Sequence, residues 1–227
     1  MKMTLKSLVC GGVVGCLFLA GCARDTYLAA GQRAVSTPEL PRIFATPSLY
    51  LLTNNSGFVA NVRSEGARGT STGRIYGDGP RLFYTPAENQ RDTKYGPAGR
   101  FSFIWDATKN SGVVLSEALQ GYAPISLMGA GPATNLVVEP SGRGRTVTAD
   151  FENGTRVQFE ASGYSREGVP ERITGTAPAF TATFDKVVSE KPPPELFKVP
   201  EGFTAYRSPE AMVDELALRF RNLKKNY

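Results

Sequence analysis

After Gly57 the chain falls into short apolar or alternating runs separated by Gly, Pro, Asn and Asp, and this pattern restricts its fold more than any other feature. Phe58 to Arg63 is an alternating run, with Asn61 and Arg63 polar against Ala60 and Val62, and Arg74 to Tyr76 and Arg81 to Tyr84 follow at short spacing. Then come Phe101 to Asp106, Val113 to Ser116, Leu136 to Glu139, Arg145 to Phe151, Thr155 to Ala161 and Phe180 to Val188. Side chains on a strand alternate between faces, so regular short runs with turn residues between them predict an antiparallel, mainly β architecture.

One connection can be read in register. Glu152-Asn153-Gly154-Thr155 suggests a hairpin. A two-residue Asn-Gly loop would set Ala149 against Gln158 and Val147 against Glu160, mixing apolar and charged residues on one face. A three-residue loop with Gly154 as a left-handed bulge sets Ala149 against Val157 and Val147 against Phe159, and this register is expected.

Three strands are apolar on both faces. Phe101, Phe103 and Trp105 oppose Ile104; Leu82 and Tyr84 oppose Phe83; Val113 and Leu115 oppose Val114. A sheet buried on both sides needs cover on each. A second sheet could supply it in a β-sandwich, or part of the face could line an apolar cavity.

A helix is expected over 208–225. Ser208 is placed to cap it, Pro209 suits its first turn, and Glu210, Asp214 and Glu215 precede Arg219, Arg221, Lys224 and Lys225, as the helix dipole favours. Met212, Val213, Leu216, Phe220 and Leu223 fall on one stripe. Ser48 to Asn54, between Thr46-Pro47 and Gly57, reads as a short helix or a strand.

The N-terminus decides where the molecule works. Lys2 and Lys6 precede an apolar run from Leu8 to Leu19, and Leu19-Ala20-Gly21 leads into Cys22. The run is well short of the roughly 20 residues of a spanning helix, so it reads as a secretory signal peptide. Leu19-Ala20-Gly21-Cys22 resembles the bacterial lipobox. That resemblance implies diacylglyceryl transfer to the Cys22 thiol, cleavage of residues 1–21 and acylation of the new amine. Several acyl chains on one residue anchor durably, where a single chain holds only marginally. Ala23 and Arg24, the two residues after Cys22, are not acidic, which by the same resemblance favours the outer membrane, facing the periplasm. Residues 22–47, rich in proline and without period, read as a tether, and 48–227 as a single domain.

Removing residues 1–21 takes away two of 26 basic residues and none of 21 acidic ones, so the formal charge falls from +5 to +3. Such a mild excess argues against a nucleic-acid partner. Cys10 and Cys16 leave with the signal, Cys22 carries lipid, and the chain has no histidine. Disulfides, thiolate nucleophiles, Ser-His-Asp catalysis and most transition-metal sites are thereby excluded, and no metal or cofactor is expected. The glycine-rich stretches at Gly129 to Pro132 and Ser141 to Arg145 lack the residues of a phosphate loop and read as turns, although Arg143 and Arg145 could face a phosphate head group. Asp106, Glu117, Asp150 and Glu160 are carboxylates of the right type for glycoside hydrolysis, but nothing in their spacing unites a pair.

The segment from Tyr164 to Phe203 resembles the last strands of the LolA/LolB-like superfamily of periplasmic and lipoprotein carriers. The resemblance rests on Tyr164, the loop and strand from Gly168 to Thr174, the alternating strand Thr181 to Val188, and the ending Leu196-Phe197-Lys198-Val199-Pro200-Glu201-Gly202-Phe203. Phe101 to Leu115 is similar to an upstream strand, turn and strand of that group. The resemblance implies an unclosed antiparallel β-barrel, or half-barrel, with helices over its concave face and a cavity for acyl chains. Leu82, Tyr84, Phe101, Phe103, Trp105, Val113 and Leu115 are the candidate lining residues.

The expected function is that of a lipid-anchored envelope protein that binds an acyl chain or lipoprotein without chemistry. The alternative is a structural or protein-interaction lipoprotein with a filled core, using loops such as Pro86 to Arg100. A carboxylate hydrolase is a third reading. Replacing Cys22 by Ser is expected to abolish metabolic labelling with palmitate and leave an uncut precursor; labelling that survives would remove the anchor from the reading.

Overall fold

Among the described residues twelve strands hydrogen-bond into one sheet, followed by one α-helix. The computed structural model describes residues 51–53, 55–66, 69–88, 99–109, 111–125, 133–142, 144–151, 154, 156–176 and 179–225. The expected signal, Cys22 and tether lie outside these, as do most of the loop 86–100 and most of Ser48 to Asn54, of which Leu51–Thr53 form a turn.

The strands are β1 (Asn55–Gly66), β2 (Gly69–Gly79), β3 (Arg81–Pro86), β4 (Ser102–Asp106), β5 (Ser111–Ser116), β6 (Gly121–Ile125), β7 (Ala133–Ser141), β8 (Gly144–Phe151), β9 (Arg156–Tyr164), β10 (Pro170–Thr176), β11 (Ala179–Ser189) and β12 (Thr204–Ala205). Their order is β12-β6-β5-β4-β3-β2-β1-β11-β10-β9-β8-β7. Two antiparallel meanders, β1 to β6 and β7 to β11, are thus joined through β1 and β11; only the short β12 runs parallel to its neighbour β6. The sheet is open, since β7 and β12 end it without pairing to each other.

It is nevertheless far from flat. Strands β6 and β7 stand ten strand positions apart, about 48 Å in a flat sheet. Only seven residues separate Ile125 from Ala133, a reach of at most about 29 Å. The sheet must therefore curl until its two edges approach, which yields an unclosed barrel.

The registers define one core face. Phe58 stands opposite Gly77, Ile75 opposite Tyr84, Tyr84 opposite Phe103 and Leu82 opposite Trp105. On the other side of β1, Val62 meets Phe184, Ala182 meets Ile173 and Val147 meets Phe159. Side chains of this face on β1–β4 and β8–β11 form one buried cluster, joined by Leu52 and Val169. The hairpin register expected at Gly154 is present, with Val147 opposite Phe159, Ala149 opposite Val157 and Gly154 at φ +79°. Two residues of β11, Lys186 and Val187, face Ala60 alone, with Lys186 at φ +49°; this bulge bends the sheet where the meanders meet.

The chain after β11 crosses the outer face. Glu190 donates its backbone N–H to Gly57 at 3.1 Å, and a 3-10 turn at Pro194–Phe197 seats Phe197 against the sheet, where the Arg81 guanidinium lies 4.9 Å from its ring. The chain rounds the edge as β12 and enters α1 (Pro209–Lys225). Ser208 caps α1 as expected, its Oγ accepting the Ala211 N–H at 3.3 Å. Met212, Val213 and Leu216 pack on Phe101, Val114, Leu119 and Ala123. Val114 stands opposite both Phe103 and Ala123, so α1 covers the core face at its β5–β6 end.

The core face has aromatic rings lying over glycines. A Cβ built on Gly77 would clash with the Phe58 ring, and one on Gly175 with that of Phe180. Gly77→Ala is accordingly expected to lower the unfolding free energy by about 1–3 kcal/mol through overpacking. Urea unfolding measures it, and an unchanged midpoint would mean the ring does not need that space.

Candidate functional site

The seven residues expected to line a cavity do not share one surface. Leu82 and Tyr84 on β3 and Phe103 and Trp105 on β4 form a continuous patch of the core face, each at most 1% exposed. Phe101 continues that face along the chain but belongs to the cluster under α1. Half-buried Ile125 packs against both clusters and marks the seam between them.

Val113 and Leu115 must be corrected. Phe103 pairs with Val114, Trp105 with Gly112 and Ile104 with Val113, so Val113 and Leu115 project from the outer face with Ile104. Two adjacent runs that each alternate leave their relative phase open, and only the cross-strand register settles it. The double-sided burial expected for β4 is real: Ile104 is 7% exposed on one face while Phe103 and Trp105 are fully buried on the other. The outer-face cover over β3 and β4 is the 3-10 turn, not a second sheet.

The carboxylates each have a local partner or a strand of their own. Asp106 accepts from the Thr108 N–H at 3.0 Å and its hydroxyl at 2.6 Å, the pattern of an Asx turn. Asp150 on β8 binds Arg156 on β9 at 2.5 and 3.1 Å, and this guanidinium holds its carboxyl below the usual carboxylate range. Glu160 stands opposite Thr146 and Thr174, and Glu117 begins the exposed turn after β5. Among the described residues no three His, Cys, Asp or Glu side chains are placed to hold a metal ion, and no helix is long and apolar enough to cross a membrane.

A site that sequence reasoning missed lies on the outer face, where a groove of about 830 Å³ runs across β11, β1, β2 and β3. The registers build it from two rows. Asp185, Asn61, Arg74 and Thr85 stand side by side on four adjacent strands, and Thr183, Arg63 and Thr72 form the next row. The wall is the chain leaving β3, where the Ala87 N–H returns to the Thr72 carbonyl at 3.0 Å and Arg100 bonds the Glu88 carbonyl. The alternation of Phe58 to Arg63 already put Asn61 and Arg63 on one polar face; the partners on other strands carried no such signal.

No family model matches the chain, and no curated protein matches it. Among solved structures it is similar to an uncharacterized conserved protein from Thermus thermophilus, at 8% identity and TM-score 0.43, covering 70% of this chain and 96% of that one. It is also similar to PNGF-II in two crystal forms, at 6% and 5% identity and TM-scores of 0.41 and 0.38, covering 72% of this chain and a third (33%) of that one. Likenesses this distant carry no argument about activity.

Tyr84 links the two faces. Its ring lies in the core, and its hydroxyl donates to the Thr72 carbonyl at 3.1 Å beneath the groove. Burial pushes its pKa well above the ordinary tyrosine value, with the Ser71 hydroxyl opposing in part. A phenol with a raised folded-state pKa contributes stability in full below its unfolded pKa of about 10 and loses it as pH rises further. Tyr84→Phe should cost about 0.5–1.5 kcal/mol near neutrality through the lost hydrogen bond, and that gap should shrink above about pH 10. Urea unfolding of both proteins across that range tests this; a constant gap would place the phenol in contact with water.

Proposed function

We propose that this is a lipid-anchored cell-envelope protein of the LolA/LolB-like type, which holds an acyl chain of a lipid or lipoprotein against the core face of its half-barrel and performs no chemistry. The observation that carries the reading is the continuous apolar face of an open, curled sheet, of which α1 covers only the β5–β6 end. The LAGC sequence ending at Cys22 supports the anchor and, with Ala23 and Arg24 rather than an acidic residue directly after it, the outer membrane facing the periplasm.

Leu82, Tyr84, Phe103 and Trp105 are shut from solvent, so a chain reaches them only by parting the elements above them. The seam at Ile125, between the α1 cluster and the main cluster, is the entry this reading assigns. Each methylene that leaves water there contributes about 0.8 kcal/mol, set against the packing that opens. The second reading, an interaction lipoprotein with a filled core, is favoured by the full burial of the same four side chains.

Trp105 separates the two, because it is the chain's one tryptophan and sits on the core face. Titrating residues 24–227 with dibrominated stearate should quench at least half of its emission at one equivalent, while plain stearate leaves the intensity intact. Emission unaffected by both, with no stearate retained after gel filtration, would replace the carrier with the interaction lipoprotein.

A further inference from the structure

We infer that the outer-face groove is a second binding site, for a neutral oligosaccharide. The inference is independent of the acyl-chain reading, because the groove opens on the opposite face of the sheet.

Charge balance excludes the simpler ligands. Two guanidiniums, of Arg63 and Arg74, share one lining with two carboxylates, of Glu88 and Asp185, and Arg63 is itself paired with the Glu65 carboxylate at 2.7 Å. A phosphate or sulfate drawn to the arginines would be repelled by the carboxylates, and a cation the reverse, so no net charge is favoured along the groove. Hydroxyl groups answer this arrangement, since each donates and accepts. Arg74 supplies donors only, Asp185 acceptors only, and Asn61 and Thr85 supply both, all in one row across four strands.

Beside the groove lies a surface suited to sugar rings. Along β2 from Arg74, on the same face, Tyr76 and Phe83 stand opposite each other with ring centroids 5.8 Å apart, both half-buried. The Arg74 guanidinium lies 5.8 Å from the Tyr76 ring, joining this aromatic shelf to the polar rows. A pyranose has the same duality, with C–H groups on its faces for an aromatic surface and hydroxyls around its edge for hydrogen bonds. A peptide would instead ask for apolar side-chain pockets, and the two rows supply polar groups. At about 830 Å³ the groove is of a size for several sugar rings rather than one.

The test is calorimetric titration of the full chain in detergent with neutral tetrasaccharides of glucose, mannose and N-acetylglucosamine. At least one should bind saturably, and Arg74→Ala and Asp185→Ala should each weaken it about tenfold or more without moving the thermal midpoint. Arg221→Ala, on the exposed side of α1, should bind as the parent does. Absence of saturable binding to all three sugars overturns the inference. So does equal affinity in the groove variants, or preferential binding of inorganic phosphate or of a sulfated tetrasaccharide.

Discussion

The short link from β6, beside one edge of the sheet, to β7 at the other is the constraint on which the rest depends. Among the described residues twelve strands lie in one layer with no second sheet to bury against, and an extended sheet of that width would leave one apolar face in water. Seven residues between β6 and β7 cannot span the flat separation, so the layer rolls and brings its own far strands within reach. Core-face side chains of β3–β4 and of β8–β9 accordingly belong to one cluster, although five or more strand positions separate them in the ladder. The edges approach without pairing, and this makes the barrel an open one.

Rolling crowds the concave side, and the chain answers with glycines under aromatic rings. Phe58 lies over Gly77 on the neighbouring strand and Phe180 over Gly175, each filling the space a side chain would need. The convex side is treated differently. Part of it is closed by the 3-10 turn and Phe197, held under Arg81, whose guanidinium is itself tied to Asp78 at 2.5 Å. The remainder carries the two polar rows of the groove. A single sheet thus presents an apolar and a polar surface back to back, with Tyr84 reaching through from one to the Thr72 carbonyl below the other.

Most strands were legible because half-burial writes itself as alternation, and the Gly154 hairpin was legible to the residue because only one loop length matched apolar with apolar. The helix was equally plain, with a cap, a charge gradient and a stripe agreeing over 208–225. Strand β6 escaped notice since Gly121 and Pro124 punctuate it, yet it lies next to the edge, where the two-residue β12 reaches only Gly121 and Tyr122. Strand β12 is too short to carry any period. At the candidate site, Leu82, Tyr84, Phe103 and Trp105 were correctly grouped, while Val113 and Leu115 were assigned to the wrong face because phase between strands is not a property of either strand alone.

What the sequence determined by itself is everything that depends on neighbours along the chain: the strand periods, the Gly154 register, the Ser208 cap, and the run that ends in Cys22. What only the tertiary structure decided is everything that depends on strands far apart in the chain. The union of β1 with β11, the curl, and the assembly of Asp185 beside Asn61, Arg74 and Thr85 all join residues separated by up to 131 positions. Local propensity acts over a few residues, whereas these contacts form because burying the apolar face outweighs the entropy of closing so long a loop.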